Sequence, residues 1–164
     1  MANLSSKALD AAYILFGGEA GLKVNLESLA ELQGRPVEEA RFVLERASWG
    51  TKYSERTPES RHPRVALSLK RISGKGVEKF SRKAARATLL AEIQVSGETA
   101  EKVSQQTMDF VDATISLLDR NQGLWNAGAF YAGEYAVEWK PLAKGGLNYT
   151  QIATFEIELY LWQD

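Results

Sequence analysis

Two glutamates near the C-terminus, Glu156 and Glu158, come closest in this chain to a catalytic pair. As alternate residues of a strand they share one face about 7 Å apart, a spacing compatible with divided acid and base roles. Alternating acids on an exposed strand are common, however, and no histidine or nucleophile accompanies them. His62 is the single histidine; it lies between Arg61 and Pro63 in a polar stretch, without the second histidine of a metal pair. Ser73-Gly74-Lys75-Gly76 is rich in glycine but lacks P-loop spacing and a following Lys-Ser/Thr pair, so it reads as a turn. There is no Gly-x-Ser-x-Gly nucleophile elbow. With no cysteine in the chain, disulfides, thiolate nucleophiles and thiolate metal sites are excluded. The expectation is therefore no enzyme, no cofactor and no metal.

What stands out instead is the company the glutamates keep. Thr154, Glu156, Glu158, Tyr160 and Trp162 mix acid with large aromatics where a lone domain would carry plain polar residues. Such a face is either the partly covered second side of a sheet or a subunit interface, whose cores are enriched in aromatics. A basic arm provides a second surface feature. Lys70, Arg71, Lys75, Lys79, Arg82, Lys83 and Arg86 fall within one stretch, able to meet phosphates. Aromatic interleaving is limited to Phe80 and no RNA- or DNA-binding motif is present. A solvated hairpin tip is the plain reading, and contact with an acidic protein surface explains the charges as well as nucleic acid does.

These residues must be positioned by a single domain. The chain has 164 residues, 45% hydrophobic and 25% charged, with a formal net charge of −1 that gives no overall pull toward nucleic acid or membrane. No apolar run approaches the roughly 20 residues of a membrane span, and the N-terminus lacks a signal-peptide core, so cytosolic synthesis is expected. The organising stretch is 85–118. Ala85, Ala87, Leu89, Ala91, Ile93 and Val95 recur at every second position, as in a strand with one covered face. After Ser96-Gly97-Glu98 the period changes: Val103, Thr107, Phe110, Val111, Thr114, Ile115 and Leu118 fall on one helical face. Ser96 is the expected cap.

Before this pair, Ser6–Phe16 reads as a short helix stopped by Gly17-Gly18, and 17–34 as a short strand followed by a helical turn. Arg35-Pro36 opens a further helix with Val37, Ala40, Val43, Leu44 and Ala47 buried, ending at Trp49-Gly50. Thr51–Arg64 is a polar loop. Val65–Ile72 alternates and forms a hairpin with Ala85–Val95. After Asp119–Gly123 come two closing strands, Tyr131–Lys140 and Ala153–Trp162, joined by a turn over Pro141–Gly146. The expected fold is α+β: a mostly antiparallel four-stranded sheet, ordered strand-strand-helix-strand-strand, packed on the long helix. An N-terminal helical region (1–50) and a surface loop (51–64) precede that core (65–164).

This layout resembles the tail terminator (tail completion) proteins of long-tailed bacteriophages. The resemblance rests on the strand after His62-Pro63, the entry Leu89-Leu90-Ala91-Glu92-Ile93-Gln94-Val95 into a polar helix start, the stretch from Leu117 to Trp125, and the closing aromatic-acid strand Phe155 to Trp162. It covers roughly residues 62–164. The resemblance implies a non-enzymatic virion part: a homo-oligomeric ring, by family a hexamer, that caps the tail tube protein, ends tube polymerisation and offers a surface to the head-tail neck protein. It further implies a virion location after assembly in the host cytoplasm, no membrane contact, and at most non-specific contact with passing DNA. On that basis Glu156, Glu158, Tyr160 and Trp162, with Tyr131 and Trp139 nearby, are expected to make subunit contacts. The arm with Lys75, Lys79, Arg82 and Lys83 is expected to reach a neighbour or the tube. Rival expectations are another neck or connector protein on the portal side, or a small nucleic-acid-binding module using the arm.

Overall fold

The computed structural model describes residues 4–36, 40–47, 63–74, 83–125 and 128–163. In chain order the elements are helix α1 (Leu4–Gly17), helix α2 (Leu22–Leu32), β1 (Val43–Arg46), β2 (Arg64–Gly74), β3 (Lys83–Gly97), helix α3 (Ala100–Arg120), β4 (Gly123–Leu124), β5 (Ala129–Trp139), β6 (Ala143–Gly145) and β7 (Asn148–Gln163). The seven strands form one curled mixed sheet, a half-barrel, in the order β1-β2-β3-β7-β5-β4, with β6 also on β7. This overturns the expected four-stranded antiparallel sheet packed on one helix. The sheet is larger, and β1 joins it parallel to β2.

Each difference has a local cause. Val43, Leu44 and Ala47 fit helical spacing, yet this segment is extended because the edge of β2 offers it partners. The Val43 N–H donates to the Pro63 carbonyl at 2.8 Å and the Ala47 N–H to the Leu67 carbonyl at 2.8 Å. Phe42 docks edge-on against Phe110 of α3, ring centroids 5.8 Å apart. The stretch expected to hold a short strand is helix α2, with Gly21 at its N-cap and Leu22 and Asn25 buried. Two further strands, β4 and β6, span too few residues to show any period. Helix α3 is capped by Thr99, whose Oγ1 accepts the Lys102 N–H, and not by Ser96. Ser96 still belongs to β3, opposite Thr150, and the two hydroxyls are hydrogen-bonded at 3.0 Å.

The centre of the sheet is the long antiparallel ladder of β3 and β7, in register from Lys83↔Gln163 to Gly97↔Tyr149. On one face of it Ala87, Leu89, Ala91, Ile93 and Val95 meet Ala153, Phe155, Ile157, Leu159 and Leu161, all buried. Helix α3 covers this face with Val103, Phe110, Val111, Leu117 and Leu118. Thr107 and Thr114 interrupt that stripe but satisfy their buried hydroxyls on the carbonyls four residues back, both at 2.7 Å. Helix α1 adds Ala8, Ala11 and Ala12, small residues that let it lie close on the sheet, and the buried ring of Phe16. Period-two alternation turns Glu156, Glu158 and Tyr160 to the opposite face, on which Arg64, Ala66 and Ser68 at the start of β2 are also buried.

Candidate subunit-contact surface

The open face is crossed by a belt of charge. Lys70 of β2 reaches over β3 to Glu156 of β7, Nζ to Oε1 2.6 Å. Arg86 of β3 holds two acids at once: Nε lies 2.9 Å from Glu158 of β7, and Nη2 lies 2.7 Å from Glu134 of β5. Thr88 donates its hydroxyl to the other Glu158 oxygen at 2.8 Å. The Arg86 guanidinium also stands 5.7 Å from the centre of the Tyr160 ring, in cation–π range. The hydrogen bond and charge of Glu158, with Tyr160 and Glu134, hold the arginine's pKa above its ordinary value.

Local backbone irregularity sets this geometry. The β2–β3 register slips between Leu69 and Arg71, which makes Lys70 the extra residue of a bulge. The β5–β7 register slips between Tyr131 and Tyr135. There Gly133 has φ +94°, a conformation that a residue with a Cβ rarely adopts. Glu134 lies within that second bulge. Both outer members of the belt, Lys70 and Glu134, are thus supplied by bulges that re-aim side chains across neighbouring strands.

The expected contact residues divide accordingly. Glu156, Glu158 and Tyr160 lie together on the open face, and Tyr160 is paired in register with Phe130, another exposed aromatic. Trp162 is half-buried near the end of β7. Its N–H donates to the Gly128 carbonyl at 3.1 Å, and its own carbonyl accepts from Lys7 Nζ at 3.0 Å. Trp139 is 46% exposed at the end of β5, on the other side of the sheet from the belt. Tyr131 is a correction: it is fully buried, 5.1 Å from the Trp125 ring, and its ring is unavailable to a neighbour. Strand alternation turns it onto the sealed face. Lys83 opens β3, while Lys75, Lys79, Arg82, His62 and most of the expected loop lie outside the described residues. Sequence reasoning missed Glu134, Phe130 and the bridging role of Arg86, because the partners are set by strand order.

As acid-base candidates, Glu156 and Glu158 are each already engaged by a cation, Lys70 and Arg86 respectively. Among the described residues no three His, Cys, Asp or Glu side chains are grouped to hold a metal ion. No described helix is long and apolar enough to cross a membrane. The arrangement is one of ordered charge and exposed aromatics, suited to recognising another surface.

Burial of Tyr131 has a measurable consequence. Its hydroxyl has no hydrogen-bond partner among the described residues, and desolvation, with Tyr135 and Asp119 adding, pushes its pKa up to about 12. The unfolded chain releases this proton near pH 10, so folding holds it longer. The resulting stability is fully present below pH 10 and is lost as pH rises from 10 to about 12. Over that window the wild-type chain is expected to lose at most about 1 kcal/mol per pH unit from this group. In Tyr131→Phe that component disappears while stability at neutral pH is kept. Urea midpoints at pH 8, 10 and 11 check this, and equal alkaline losses in both proteins would contradict it.

Compared with protein-family models and with curated proteins, the chain gives no match.

Proposed function

We propose that this chain is a structural part of a phage tail: a ring of identical subunits that caps the tail tube, ends its polymerisation and presents a surface for head joining. The observation that supports this reading best is the two-sidedness of the sheet. One face is sealed by helices, and the other displays Lys70, Arg86, Glu134, Glu156, Glu158, Phe130 and Tyr160 in a fixed, largely ion-paired array. A tube grows because each ring presents an edge that recruits the next. A terminator must match the tube on one side and withhold that match on the other. Contacts of modest strength become strong in a ring, since each bound subunit raises the effective concentration of the next.

The test uses the tail tube protein of the same phage, polymerised with and without this chain and measured by electron microscopy. Tubes of bounded length with a terminal ring are expected with the wild-type chain. Arg86→Glu, which sets a third carboxylate beside Glu134 and Glu158, is expected to lose capping while the circular dichroism spectrum is kept. Full capping by that variant would remove the open face from the mechanism. Tails of normal length that fail to join heads, in phage lacking the chain, would instead mark a neck protein.

A further inference from the structure

The open half of β2 and the open half of β5 complement each other, and we infer that they join one copy of this chain to the next in a continuous intersubunit sheet. This rests on the ring-forming part of the proposed function and names its joint. Strand β1 covers β2 only from Arg64 to Leu67, and β4 covers β5 only at Phe130 and Tyr131. Among the described residues nothing pairs with the outer side of β2 from Ser68 to Gly74, or of β5 beyond its bulge. An exposed edge of this kind is a template for another strand.

Direction, hydrogen bonding and charge all agree. Each neighbour in the run β2-β3-β7-β5 is antiparallel, so β2 and β5 point opposite ways. A second copy in the same orientation therefore brings its β2 antiparallel to β5 of the first. The Lys140 N–H donates to the Ile152 carbonyl at 2.8 Å, which fixes the alternation along β5. Glu138 and Ala136 then face β7 with their peptide groups, while Trp139, Val137 and Tyr135 turn theirs to the free edge. On β2 the Leu67 carbonyl faces β1. Carried through the bulge, this alternation turns the peptide groups of Ile72 outward. Pairing Ile72 with Val137 sets Arg71 directly opposite Glu138 in the closer, non-hydrogen-bonded type of pair. Both are exposed on the belt face, and neither has an ion-pair partner among the described residues. On the other face the exposed side chains of Ile72 and Trp139 become diagonal neighbours. The two free halves are offset along the sheet by about four residues, roughly 13 Å. A closed ring accommodates such a stagger by tilting its strands against the ring axis.

The chain has no native cysteine, so introduced thiols report only the contact under test. In the double variant Arg71→Cys plus Glu138→Cys, mild oxidation is expected to give a reducible ladder of covalent oligomers on denaturing gels. Each single variant is expected to stay uncrosslinked, since the joint brings different positions together. A second measurement is independent of oxidation: Arg71→Glu weakens self-association about tenfold by setting like charges opposite, and adding Glu138→Arg restores it. Crosslinking in the single variants would overturn the joint in favour of a symmetric contact. A stable oligomer with neither ladder nor charge-swap rescue would overturn the joint and leave the ring standing. A chain that sediments as a monomer at every concentration would overturn the ring itself.

Discussion

Phe155→Ala lowers the stability of this fold by about 3–5 kcal/mol, a large share of the roughly 5–15 kcal/mol available to a domain of this kind. Phe155 is fully buried at the middle of β7, opposite Ala91 on β3 and Val137 on β5. Its ring lies 5.9 Å from that of Tyr135. The alanine beside it makes the phenyl ring the filler of that part of the core. Ladders on both sides hold the β7 backbone in place, so the site cannot collapse around the lost volume, and the cavity cost adds to the transfer cost. Ile157→Val, one ladder position pair away on the same buried face, is the comparison and should cost only about 0.5–1.5 kcal/mol. Urea unfolding reads both, with a midpoint shift at unchanged slope. A loss under about 1 kcal/mol for Phe155→Ala would mean that the sealed face lies elsewhere.

Gly21→Ala is the second large effect, at about 3 kcal/mol or more. A methyl group there would stand 2.4 Å from the Phe16 carbonyl oxygen, 2.8 Å from that of Gly18 and 2.9 Å from that of Leu15. All three are backbone atoms at the end of α1, which cannot rotate away. Gly21 also ties the corner together: its N–H donates to the Gly18 carbonyl at 3.0 Å, and its carbonyl accepts from the buried Asn25 side chain at 2.8 Å. Displacing it separates α2 from α1 and strips cover from α3. Hydrogen exchange should therefore rise first across 22–32. Gly145→Ala meets no atom within 4 Å and has ordinary φ, so it is the matched control with an effect within about 0.5 kcal/mol. Equal behaviour of the two variants would show that the corner does not depend on glycine.

The long elements were legible because their patterns run for many residues. Alternation from Ala87 to Val95 and from Ala153 to Leu161 marked two strands with one buried face each, and the residues on that face are buried. The spacing from Val103 to Leu118 likewise marked the covering stripe of α3. The short strands were not legible. Four residues of β1 are extended only because β2 presents a free edge, and the same residues fit a helical period. Pairing order was hidden for another reason. The belt joins Arg86 to Glu134, 48 residues on, and Lys70 to Glu156, 86 residues on. Nothing local in the chain sets that β7 lies between β3 and β5. Glu156, Glu158 and Tyr160 could be placed on one face from alternation alone, but the cations that hold them could not. The aromatic character of Tyr131 points to a contact surface, whereas parity along β5 turns it into the core.

Under the proposed function the chain works by assembling rather than by turning over a substrate. Analytical sedimentation of the purified protein, alone and with the tail tube protein that the proposed function requires, separates these outcomes. One closed species of several subunits that co-sediments with tube ends is expected. A lone subunit at all concentrations, passing by tubes that continue to lengthen, would contradict it.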